Sequence, residues 1–142
     1  MGGAGACPGP GSAVAAAGLL FGACAAIAEY PLVGTEHAPT ADGIVEVQPL
    51  DGGNLLVTVS LDHLPPPERL DTSLTVYVMW FESDRQPAVK AGRVAYDPLT
   101  RQGRIMASTT LQSFTMAITA ERDANVTDPG EVRVAACTIS GE

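Results

Sequence analysis

No charged side chain of either sign precedes Glu29, and none of the eight lysines and arginines precedes Arg69. The first absence removes the basic region that normally opens an export signal, leaving only the α-amino group to supply positive charge there. The second goes with an acidic remainder, since the formal net charge is −8. A surface of that sign cannot displace counterions from a polyanion, which excludes nucleic acid as a partner. It also disfavours docking of the protein surface on anionic lipid head groups. Ala13–Ala28 is the nearest approach to a long apolar run, but it is rich in Ala and Gly and falls short of the roughly 20 apolar residues a spanning helix needs. Beyond it no segment has helical period. No Gly-x-Ser-x-Gly elbow is present to expose a nucleophile. No catalytic constellation emerges, so the chain is expected not to be an enzyme and no cofactor is implied.

What is present begins with an uncharged, Ala- and Gly-rich N-terminal stretch. Leu20-Phe21-Gly22-Ala23-Cys24 resembles the bacterial lipobox, in which small residues precede a cysteine that is acylated and becomes the new N-terminus. That resemblance implies a signal peptide over residues 1–23, lipidation at Cys24 and attachment to a membrane through the acyl chains. Ala25 after the acceptor is not the aspartate that retains lipoproteins at the inner membrane, which implies an outer-membrane lipoprotein facing the periplasm. Ala26-Ile27-Ala28 offers an alternative cleavage site that would release a secreted or periplasmic chain. Residues 24–42 contain two prolines and no sustained period, and read as a tether whose first residues could also pair as an edge strand. In this scheme Cys7 leaves with the leader and Cys24 is acylated, so Cys137 stands alone and the domain has no internal disulfide.

From Gly43 the pattern has period two, interrupted by turn residues about every ten positions, as in an all-β sandwich. Leu55, Val57, Val59 and Leu61 alternate with Leu56, Thr58 and Ser60, which predicts a sheet with one dry side. Leu64-Pro65-Pro66-Pro67 cannot supply ladder donors and reads as a crossing loop. Leu74 to Phe81 is apolar on both faces and reads as a central strand with Trp80 in the core. Strands over Val89 to Tyr96, Arg104 to Thr109, Phe114 to Glu121 and Val132 to Ile139 complete the set. The fold class expected is all-β, a seven-stranded Ig-like antiparallel β-sandwich over residues 43–142.

Few side chains are placed for chemistry. His63 follows Asp62 at a strand end and reads as a solvated loop histidine rather than a general base. Cys137 lies within a strand and is followed by no nearby His or Met, so it reads as a small buried hydrophobe and not as a copper ligand. The two histidines lack a second close ligand for zinc. Asp123 to Gly130 is oxygen-rich but lacks the glycine and terminal acid of an EF-hand loop, and reads as a turn. No metal site is assigned. If Trp80 is core, then Tyr77, Met79 and Phe81 point outward on the same strand, and they form the expected binding face.

The segments Val76 to Trp80, Val89 to Val94 and Phe114 to Glu121 resemble, in that order, the extracytoplasmic β-sandwich of RskA-type (anti-sigma-K) anti-sigma factors, with Tyr77, Trp80, Gly92 and Glu121 as the distinctive positions. The resemblance implies a β-sandwich on the outer side of a membrane. The sigma-binding helical domain and spanning helix of that family have no counterpart in this sequence, so sigma-factor binding does not carry over. The chain is also similar to small lipoproteins of δ-proteobacteria, which implies an envelope location. The function expected is a non-catalytic, lipid-anchored interaction or structural module of the bacterial cell envelope, its partner an envelope protein or polymer. The alternatives are a sensory domain of anti-sigma type and a small secreted metal-binding or enzymatic domain.

Overall fold

The computed structural model describes residues 27–140. The expected signal peptide and the acceptor Cys24 lie outside the described residues. Nine strands run β1 (Ala28–Val33), β2 (Asp42–Pro49), β3 (Leu55–Asp62), β4 (Val76–Ser83), β5 (Gln86–Arg93), β6 (Ala95–Asp97), β7 (Gln102–Thr109), β8 (Phe114–Glu121) and β9 (Arg133–Ile139). They form a five-stranded sheet in the order β1-β2-β3-β7-β6 and a four-stranded sheet in the order β5-β4-β8-β9. Every recorded pairing is antiparallel. The all-β class therefore stands, with nine strands where seven were expected.

The two additional strands have separate causes. Residues read as a tether, with an edge strand as the alternative, fold as the edge strand β1, because Tyr30 and Leu32 alternate with Glu29 and Pro31 and bury their side chains in the core. Pro31 is tolerated there because β1 is an edge strand, where a missing N–H interrupts no central ladder. The strand expected over Val89 to Tyr96 divides in two. The ladder between β4 and β5 skips a residue between Gly92 and Lys90, and Gly92 takes φ 149°, a conformation that L side chains rarely adopt. The Val94 amide then donates to the Tyr77 carbonyl at 2.8 Å before Ala95–Asp97 pairs with β7 in the other sheet. The proline loop carries a single helical turn, α1 (Pro67–Leu70), with proline at its start, where the missing N–H would have had no partner.

The core lies between the sheets. Val45, Val47, Val57, Val59 and Leu61 face Tyr77, Met79, Phe81, Met116 and Ile118. Phe81 and Phe114 meet edge to face with centroids 5.2 Å apart, an arrangement worth about 1 kcal/mol beyond the area buried. The alternation read from β3 is the one observed. For β4 it is inverted. Tyr77, Met79 and Phe81, expected as an exposed binding face, are inside the sandwich, and Trp80 is buried on the opposite, outer side of the four-stranded sheet. Both sides of β4 are apolar, and period two cannot tell which side meets the other sheet.

Candidate interaction face

The strands impose different fates on the two outer faces. On the five-stranded sheet the register aligns Pro31, Ile44, Ser60 and Arg104 in one row across β1, β2, β3 and β7. The next row holds Glu29, Glu46, Thr58 and Met106, and the row on the other side holds Val33, Asp42 and Asp62. Val33 is 69% exposed, Met106 62% and Ile44 46%. An unshielded apolar residue is unremarkable alone; several on one flat sheet face make a surface suited to contact.

Charge on this face is one-sided. The four strands carry Glu29, Asp42, Glu46 and Asp62 against the single cation Arg104, and their inward positions are apolar or small, so all of this charge lies outside. Glu29 stands directly opposite Glu46, and Asp42 directly opposite Asp62. Like charges in that relation destabilise a sheet. Two neighbours relieve the aspartates: His63 Nδ1 lies 2.7 Å from Asp42, and the Gln102 side-chain amide donates to Asp62 at 2.9 Å. His63, read as a solvated loop histidine, is exposed but partnered by Asp42 across the sheet, and its hydrogen bond with that carboxylate raises the imidazole pKa above its ordinary value. Among the described residues Glu29 and Glu46 have no ion pair.

The outer face of the four-stranded sheet is sealed. Trp80 is fully buried there, and its indole N–H donates to Thr119 Oγ1 at 2.8 Å. Thr119 in turn donates to Glu121 Oε2 at 2.6 Å, and the Gly130 amide donates to the same oxygen at 2.7 Å. A side chain at Gly130 would meet the Glu121 carboxylate at 2.9 Å and displace it from its hydrogen bonds to Thr119 and the Gly130 amide. Residues 122–132 form a strap over this face. Lys90, cross-strand neighbour of Trp80, holds it by donating to the Ala124 and Val126 carbonyls at 2.6 and 2.9 Å. Arg133 closes the flank with a bidentate pair to Glu82, both contacts 2.9 Å, and that hydrogen bonding raises the guanidinium pKa further. The oxygen-rich stretch Asp123 to Gly130 is therefore a strap whose carbonyls accept from an ammonium group. Sequence reading missed it because Lys90 lies more than thirty positions away.

A cleft of about 660 Å³ opens where the chain crosses between sheets, lined by Pro66, Glu68, Tyr77, Arg93, Tyr96 and Asp97 among others. Tyr77 and Tyr96 meet edge to face at 5.4 Å. Their hydroxyls donate to the carbonyls of Pro65 and Leu64, at 2.5 Å for Tyr96, which pins the proline loop. Burial pushes both phenols above their ordinary pKa, Tyr77 strongly, and both remain neutral donors near pH 7. Their place is structural.

Cys137 is buried in β9, as expected, but it is disulfide-bonded, and the reading that left it alone is corrected. The other half of that bond lies outside the described residues. No group of three or more His, Cys, Asp or Glu side chains among the described residues is arranged to hold a metal ion. Comparison with protein-family models, with curated proteins and with solved structures finds no match to this chain.

Proposed function

We propose that this chain is an exported, non-catalytic interaction module with an Ig-like strand arrangement, working through the open outer face of its five-stranded sheet in the bacterial cell envelope. The observation that carries the reading is the difference between the two outer faces: one is covered by its own strap, while the other presents Val33, Ile44 and Met106 to solvent between carboxylates. The Ig-like assignment is supported by strand order. The series β2-β3-β7-β6 and β5-β4-β8-β9 correspond to strands A-B-E-D facing C-F-G with one further strand beside C. β1 is then an addition at the edge, and the inward aromatic of strand C is Tyr77 or Phe81 rather than Trp80.

Export is supported by the apolar stretch Ala13–Ala28 with its lipobox-like Leu20–Cys24 and by a disulfide at Cys137, a bond that persists in oxidising compartments. The exported product has two mutually exclusive forms. The lipobox supports acyl chains on Cys24. The Cys137 disulfide favours a second reading, export without lipidation, because lipidation would remove Cys7 and acylate Cys24. Intact mass of the full-length product from a fractionated bacterial host, measured with and without reductant, tests both. A diacylglycerol adduct on a chain beginning at Cys24, lost in Cys24→Ala, establishes the lipid anchor. An unlipidated envelope product that gains two hydrogens on reduction establishes the second reading. An unprocessed, fully reduced chain in the cytosol contradicts export.

A further inference from the structure

We propose that the open face binds an extended cationic polypeptide segment in which an apolar side chain stands between two positive ones. The inference rests on the interaction-module reading and names its partner. Along β2 the outward residues run Asp42, Ile44, Glu46, an acid, an exposed aliphatic and an acid at alternate positions. At about 3.3 Å per residue the two acids are roughly 13 Å apart with the aliphatic midway. A partner strand with Lys or Arg at positions i and i+4 and an aliphatic residue at i+2 repeats that spacing with opposite charge. The flanking strands extend the match: Glu29 lies beside Glu46, Asp62 beside Asp42, and Pro31 beside Ile44. The Glu29–Glu46 opposition, unlike the Asp42–Asp62 one that His63 and Gln102 relieve, disfavours the free domain. A cationic partner converts that repulsion into attraction, so binding gains from the same residues that cost stability.

Two other occupants fit less well. A second copy placed face to face would oppose carboxylates to carboxylates, with Arg104 and the His63 paired to Asp42 on each side too few to offset them. An anionic polymer or lipid surface would meet the same repulsion.

The test uses a fluorescent peptide repeating Lys-Thr-Leu-Thr-Lys, with a Glu-Thr-Leu-Thr-Glu peptide as its counterpart, titrated with the full chain at low salt. The lysine peptide should bind and the glutamate peptide should not. Glu29→Gln with Glu46→Gln, which removes the unrelieved like-charge pair and preserves the fold, should weaken binding about tenfold or more. The exposed off-face pair Asp84→Asn with Glu131→Asn removes the same charge and should change affinity by less than about twofold, within the spread of distant surface charges under screening. Ile44→Thr should weaken it as well. Equal losses for the on-face and off-face pairs would show that binding follows net charge alone and would overturn the proposal. Failure of the lysine peptide to bind would overturn it too. Preferential capture of the glutamate peptide, lost in Ile44→Thr, would overturn the cationic partner while leaving the interaction-face reading intact.

Discussion

The two outer faces of this sandwich are built by the same alternation and end in opposite conditions. On the four-stranded sheet, positions facing away from the core hold Val78, Trp80, Ala117 and Thr119, all fully buried, beneath a strap fixed by Lys90 and Glu121. On the five-stranded sheet the equivalent positions hold Ile44, Glu46, Thr58, Ser60 and Met106, and no described segment fixes itself across them by a recorded hydrogen bond. The strand charges differ as well. The four-stranded sheet carries three cations against two carboxylates, whereas β1, β2, β3 and β7 carry four carboxylates against one cation. A fold that needed only stability would avoid directly opposed carboxylates. Their presence on the open face alone is the ground on which interaction is proposed for that side.

The comparison can be broken hardest at Trp80. Trp80→Ala should cost about 3–5 kcal/mol or prevent folding, since it empties a fully buried aromatic site. Met106→Ala on the open face should stay within about 0.5 kcal/mol of the parent. Urea unfolding of both variants measures the gap, and similar losses would place the two residues in equivalent environments. Glu121→Ala should cost about 1–3 kcal/mol, because the Gly130 amide and Thr119 hydroxyl lose their acceptor under the strap.

A subtler change loosens the strap without emptying the core. Lys90→Met removes both carbonyl contacts and should cost about 1 kcal/mol. Because Trp80 is the single tryptophan, its fluorescence reports the seal directly, and acrylamide should quench it more efficiently in this variant. On the open face the sign reverses. Glu46→Thr relieves the opposition to Glu29 and should stabilise the fold by about 0.2–1 kcal/mol, visible as a higher melting temperature.

The smallest effect is a pH dependence. His63 has its pKa raised, chiefly by the hydrogen bond to Asp42. A raised folded-state value means that the protonated pair contributes stability below the ordinary histidine pKa and loses it as pH rises through the raised one. Stability should therefore fall slightly across that window, and His63→Gln should flatten the profile. The fully exposed setting keeps the effect small, and histidine chemical shifts are its most sensitive readout.

How far the sequence carried depends on whether the deciding contact is local. The β3 alternation is readable because one side is aliphatic and the other polar, and the structure follows it. The same holds for β8, where Phe114, Met116, Ile118 and Ala120 face the core, but β4 is apolar on both sides, so its inner and outer faces depend on where residues 122–132 fold, a contact between distant parts of the chain. That is why Tyr77, Met79 and Phe81 were expected outside and are found in the core. β1 was legible only as an alternative to a tether, because Pro31 and Pro39 interrupt the period that Tyr30 and Leu32 carry. The acids of the open face were visible one by one, but the oppositions that give them meaning exist only in the register.

The most direct test of the central claim is an amide NMR titration of the isotope-labelled chain with the Lys-Thr-Leu-Thr-Lys peptide. The account predicts shifts concentrated at Glu29, Ile44, Glu46, Thr58 and Met106, with the Trp80 indole N–H, Ala124 and Val126 unmoved. Shifts centred on the Trp80 indole and the strap, with the five-stranded sheet silent, would mean that the sealed face is the working one and would contradict the account.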